Sequence, residues 1–293
     1  MSDRICRGLY PSRGLRVVFA RVTETARLAR MLHGLYPTSA WLFAQALAGG
    51  VLLGALQKRE GERVNLQLEC DGPLGGLLVD ADAAGNVRGY VRHAEVHFPG
   101  DPARGAHAAL GGTGHLTVLR PLAEGGYYRS TVELEAFDLA ADLRRWFASS
   151  EQVATALDLC VLPRGEEPLG EVAGLLVQRL PDGDDRAVEA ARARVAGGAL
   201  AAALAGDPHP QAAIEAVLGE GFDLMADLEV AYRCGCDHGR ARAAASALGV
   251  LGIDEVLAGE RRLVIDCQFC KKQYVIDEAE LRDIRGKLAA QGG

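Results

Sequence analysis

The apolar positions of this 293-residue chain change period along its length, and the changes mark its elements. GLRVVFARV (14–22) is dense in aliphatic and β-branched residues and predicts a strand. TETARLARMLHG (23–34) and TSAWLFAQALAGGVLLGALQKR (38–59) carry helical spacing, and the second is apolar on nearly every side, as a buried central helix would be. RVNLQLEC (63–70) alternates with period two, which predicts a strand with one packed face. DGPLGGLLVDADAAGNVRGYVRH (71–93) supplies a turn, a strand, a Gly-Asn turn and another strand, the pattern of a meander. TGHLTVLR (113–120), YYRSTVELE (127–135), QVATALDLCVLP (152–163) and EVAGLLVQRLP (171–181) read as further strands, with DLAADLRRWFASS (138–150) a short amphipathic helix among them. This mixture predicts an α+β fold whose N-terminal domain, residues 1–181, holds a large, mainly antiparallel sheet.

Charge sets the next segment apart. Residues 182–231 hold ten Asp or Glu and three Arg, a net −7 that equals the formal charge of the whole chain. The apolar residues there are mostly alanines, and Gly197-Gly198 and Asp207-Pro208-His209-Pro210 interrupt them. Alanine favours helix but buries little area. The segment is therefore expected to form an acidic linker of short helices with a weak hold on the rest. Residues 232–293 are nearly neutral and form the third region, a small C-terminal domain.

Composition is that of a globular protein, with 49% hydrophobic and 24% charged residues. The N-terminus has no apolar core of a signal peptide, and the longest apolar stretch, 40–56, is shorter than the roughly 18 residues a spanning helix needs. The expectation is a cytoplasmic protein without a membrane partner.

Seven cysteines are present. Cys6, Cys70 and Cys160 are scattered and read as core or incidental residues. Cys234, Cys236, Cys267 and Cys270 form a C-x-C pair and a C-x-x-C pair. Two close pairs far apart in sequence are a way to assemble a tetrahedral thiolate site, and thiolates suit a borderline-soft ion such as zinc. Zn²⁺, one per chain, is the expected cofactor. C-x-C is unusual for a purely structural knuckle. A disulfide closed within it forms a tight, reducible ring, and Gly235 between the sulfurs eases the closure. His238 lies close enough in sequence to be a candidate substitute ligand.

These residues resemble the thirty-three-kilodalton redox-regulated heat-shock chaperone family, which carries C-x-C, a similar gap and C-x-x-C near its C-terminus. LQLECDGPLGGLLVDADAAGNVRGYV, WFASSEQVATALDL (with Ser150, Glu151 and Gln152) and EVAGLLVQRLPDG resemble further family segments in the expected order. The chain departs from the family after C-x-C, where it has Asp237-His238-Gly239-Arg240. The resemblance implies an ATP-independent holdase, inactive when reduced and zinc-bound. Oxidation would form Cys234–Cys236 and Cys267–Cys270 disulfides, release zinc and loosen the linker. Unfolding client proteins would then bind, and the active form would be a homodimer.

Rival functions fit the residues less well. A zinc ribbon that binds nucleic acid needs a basic face, and the C-terminal region lacks a basic excess, so no nucleic acid is expected. A thiol-disulfide oxidoreductase normally opens a helix at its C-x-x-C, whereas KKQYVI after Cys270 is strand-like. His93, His97 and Ser149-Ser150-Glu151 form no recognisable catalytic set, and no catalytic residue is assigned.

Overall fold

The computed structural model describes residues 2–291 apart from 58, 60 and 123. The chain divides into two compact units, Met1–Arg233 and Cys234–Gly293. In chain order, the first unit begins with β1 (Arg4–Tyr10), β2 (Leu15–Arg21), α1 (Thr23–His33), α2 (Pro37–Gly54), β3 (Arg63–Cys70), β4 (Gly76–Asp82) and β5 (Asn86–Val91). It continues with α3 (Pro102–Leu110), β6 (Gly114–Pro121), β7 (Tyr127–Glu133), α4 (Leu139–Trp146), β8 (Thr155–Arg164) and β9 (Glu167–Arg179). It ends with α5 (Asp185–Ala196), α6 (Ala199–Gly206), α7 (Pro210–Leu218), β10 (Asp223–Glu229) and β11 (Ala231–Tyr232).

The fold is α+β, as the mixed periodicity predicts, and its strands sort into two sheets. One has the order β10-β1-β2-β9-β8, the other β11-β5-β4-β3-β6-β7. All pairings are antiparallel except the short parallel one between β11 and β5. The apolar helix α2 packs against strands of both sheets. Close approach explains its glycines: a Cβ on Gly50 would lie 2.5 Å from Val79 Cγ1, and one on Gly54 would lie 2.9 Å from the Asp82 carbonyl oxygen. The main core gathers α2 residues such as Phe43, Leu47, Val51 and Leu52 with Leu66, Val79, Val118 and Leu176.

A second core covers another face of the five-stranded sheet. Leu15, Val17, Phe19, Leu175 and Val177 meet Val188, Val195, Leu200, Leu204, Ile214 and Val217 of α5–α7. The acidic segment thus contributes three helices and buries more aliphatic surface than its alanine content suggests. It also contributes a strand where only helix was expected. In β10, Asp223-Leu-Met-Ala-Asp-Leu-Glu229 pairs along β1, because an extended edge strand finds a ladder partner that an isolated helix of this length would lack.

An ionic cluster ties β2, α1 and β9 together. Arg21 forks onto Glu171, its Nη1 lies 3.1 Å from Asp3 Oδ1, and all three side chains are about 95% buried or more. Asp3 also accepts the backbone N–H groups of Glu24 and Thr25 at the start of α1. This satisfies helix-terminal donors that would otherwise lack partners.

The second unit comprises α8 (His238–Ser246), α9 (Gly249–Ala258), β12 (Leu263–Asp266), β13 (Gln273–Ile276) and α10 (Glu278–Gln291). β12 and β13 form a hairpin, and the core is small: Ala241, Ala245, Ile253, Tyr274, Ile276, Leu281 and Ile284. Among the described residues no helix is long and apolar enough to cross a membrane.

Candidate metal and redox site

Each cysteine pair is held by a local backbone device. Asp237 ends the C-x-C segment as the N-cap of α8, its carboxylate accepting the Arg240 N–H at 2.8 Å. The C-x-x-C pair lies in the β12–β13 connection. There Lys271 N–H donates to the Cys267 carbonyl at 2.8 Å, Cys267 N–H donates to the Lys272 carbonyl at 2.9 Å, and Lys271 takes φ 60°. A non-glycine residue in the left-handed region marks a turn the surrounding structure enforces. The enforced turn presents two sulfurs from one side of the hairpin.

The four thiols converge, as the spacing leads one to expect. Cys234 Sγ lies 3.6 Å from Cys267 Sγ, Cys236 Sγ lies 3.3 Å from Cys270 Sγ, and all four sulfurs fall within 4.8 Å of one another. Four sulfurs about 2.3 Å from a central tetrahedral ion stand roughly 3.8 Å apart. The set therefore has the size and chemistry of a metal site, and it can hold a metal ion. Each of the four is partly exposed, so reagents can reach them.

One neighbouring hydroxyl touches the cluster. The Tyr274 hydroxyl donates to Cys236 Sγ at 3.1 Å, and Lys272 Nζ lies 5.2 Å from the centre of the Tyr274 ring. Burial works against the Cys236 thiolate, but hydrogen bonds from Tyr274 and Cys270 outweigh it and bring the thiol to about 7. Burial pushes Cys270 up to about 12 and raises Cys234. Tyr274 is absent from the sequence-derived site. Its signal is the alternation in KKQYVI, which puts Tyr274 and Ile276 on the buried side of β13.

The other candidates lie elsewhere. His238 Nε2 pairs with Glu280 Oε1 at 2.8 Å, and Glu280 also accepts from Arg242 Nη1 at 2.6 Å. The imidazole is thus engaged by α10 and not by the sulfurs. Cys6 and Cys160 are buried, and burial pushes both thiols up to about 12. Cys70 is half-buried and is also raised by burial. His93 and His97 are exposed in the loop between β5 and α3. Ser150 Oγ is bonded by Ser130, and Glu151 pairs with Arg120.

Comparison with known proteins points the same way. A family profile described as "Hsp33 protein" matches residues 3–277. The chain is similar to the 33 kDa chaperonin of Thermosynechococcus vestitus, 32% identical over 99% of each chain. It is also similar to the 33 kDa chaperonin of Citrifermentans bemidjiense, 29% identical over the full length of both. The crystal structure of the 33 kDa chaperonin (heat shock protein 33 homolog) of Thermotoga maritima superposes with a TM-score of 0.88 at 25% identity, covering 99% of this chain and 100% of that one.

Proposed function

Because this chain belongs to the Hsp33 family, we propose that it is a chaperone of the holdase type, independent of ATP and switched by the oxidation state of Cys234, Cys236, Cys267 and Cys270. The observation that carries this reading is the convergence of those four sulfurs within 4.8 Å in a unit with a core of seven buried residues. So small a core does not supply much folding energy alone, and metal-binding energy in such units is folding energy. Bound at the four thiolates, Zn²⁺ would supply that stabilisation.

The residues account for the switch. Cys236 accepts the Tyr274 hydroxyl's hydrogen bond, which favours its thiolate, the form that oxidants attack. Each disulfide would take two electrons from two thiolates, and one peroxide, with two protons from solvent, would be reduced to two waters. Two disulfides consume the entire ligand set. We place them at Cys234–Cys236 and Cys267–Cys270. Sulfur contacts of 3.6 and 3.3 Å join members of different pairs, so peptide mapping of oxidised protein is the check. Dominant Cys234–Cys267 or Cys236–Cys270 linkages would contradict local pairing.

Residues 182–231 act as the responsive linker in this account, and residues 232–293 as the switch domain. Release of α5–α7 would bare Leu15, Val17, Phe19, Leu175 and Val177, an apolar sheet face suited to unfolding clients. The active form is a homodimer, works in the cytoplasm, and catalyses no reaction on its clients. Light scattering of a heat-unfolding client tests the reading. Oxidised protein should suppress aggregation at near-stoichiometric amounts, and reduced, zinc-loaded protein should not. Equal suppression by both forms would refute redox control.

A further inference from the structure

Away from the cysteines, the first unit contains a cavity of about 440 Å³ between its two sheets, walled by Leu53, Leu56, Val64, Val118, Phe147 and Val153. Arg16, Arg120, Trp146, Glu151 and Gln178 are among its polar lining, and a second carboxylate, Glu62, pairs there with exposed Arg59. Its size falls within the range of small-ligand sites.

The polar groups of this cavity are unbalanced. Among the described residues, five buried side-chain atoms lack a hydrogen-bond partner, and four belong to this lining: Arg16 Nε, Arg120 Nε, Trp146 Nε1 and Glu151 Oε1. Trp146 is 2% exposed. The Arg16 guanidinium donates to Gln178 Oε1 and meets no carboxylate among the described residues. Arg120 Nη2 lies 3.0 Å from Glu151 Oε1, a pair set in place by the wide π-helical turn Phe147–Glu151 after α4. Buried donors without acceptors cost roughly 1–3 kcal/mol each, and their concentration at one place calls for an explanation. Wide helical turns of this kind recur at functional sites.

We propose that this cavity binds an amphiphilic carboxylate of amino-acid size. Three unanswered N–H donors suit a carboxylate, which arginine recognises through its planar fork. Glu151, whose Oε1 has the Arg120 charge beside it but accepts no hydrogen bond, suits an amine or amide N–H next to that carboxylate. The aliphatic walls suit an apolar side chain. A free amino acid and the C-terminal residue of a peptide share this chemistry. The site does not involve the thiols and stands or falls independently of the redox reading.

Calorimetry on the reduced full-length protein distinguishes the sources. The probes are L-leucine, N-acetyl-L-leucine, L-leucinamide, and a pentapeptide ending in leucine as its free acid and as its C-terminal amide. Saturable one-to-one binding of the acids, with the amides at least about tenfold weaker, is expected. Binding by leucine alone assigns a free amino acid, and binding by the free-acid peptide assigns a chain terminus. Arg16→Met and Trp146→Phe should each weaken binding about tenfold or more, with the Trp146→Phe variant keeping the ring packing. If Arg16→Met fails to fold, Trp146→Phe and Glu151→Gln decide. The proposal is overturned if no acid saturates by about 10 mM, if amides bind as well as acids, or if the foldable variants bind unchanged.

Discussion

At the scale of single residues, Gly235 is informative because the reduced structure does not require it. It does not take a positive φ, and a Cβ there would meet nothing nearer than Arg240 Nη1 at 3.5 Å. If glycine serves the closed C-x-C ring, Gly235→Ala should leave the stability of the reduced protein within about 0.5 kcal/mol. The same change should raise the potential of the Cys234–Cys236 disulfide, measured by glutathione redox titration. An unchanged potential would remove the role given to glycine. Asp158 offers a pH test in the first unit. Burial pushes its carboxyl up to about 6, against the Leu159 N–H and Arg144, which favour the charged form. A folded value above the unfolded one, about 3.9, means that the native state holds the proton more tightly. Stability from this group is therefore greatest below about pH 4, declines as pH rises to 6, and is level above. Asp158→Asn should exceed the parent by about 1–2 kcal/mol at pH 7.5 in urea unfolding, a figure discounted for partial exposure, and match it at pH 4. A constant difference across that range would show that ionisation is not the cause.

At the scale of elements, the strands and helices with a clear period were legible. RVNLQLEC coincides with β3, and the apolar run after Tyr36 is α2. β1 was not legible, because RICRGLY mixes charge with apolar residues, and its place is set by β2 and β10 on either side. β10 is misjudged from composition, since its alternation is hidden among acids. The convergence of the four cysteines was legible from spacing alone, whereas Tyr274 becomes visible only once β13 fixes its facing. Long-range polar pairing leaves no local trace either, and the Arg21 cluster joins residues up to 150 positions apart. Removing Arg21 would strand two buried carboxylates. Arg21→Leu should destabilise the first unit by about 3–5 kcal/mol, read by denaturant unfolding. A loss under about 1 kcal/mol would mean that water reaches Asp3 and Glu171 readily.

At the scale of the molecule, the acidic segment sits between opposing tendencies. Its net −7 favours expansion, while Val188, Leu200, Leu204, Ile214 and Val217 anchor it to the five-stranded sheet. Hydrogen exchange should find amides of 182–231 protected in reduced protein but less so than those of β2 and β9. They should exchange far faster after oxidation, while the sheets stay protected. Unchanged protection alongside chaperone activity would make the segment a tether and move client binding elsewhere. Control of activity by one four-thiol site is tested by stepwise peroxide oxidation at mild heat, with zinc release, free thiols and suppression of client aggregation read on the same samples. One zinc should be released and four thiols lost per chain, with activity rising in step and Cys6, Cys70 and Cys160 still free. Full activity while the zinc and all four thiols remain in place would contradict it.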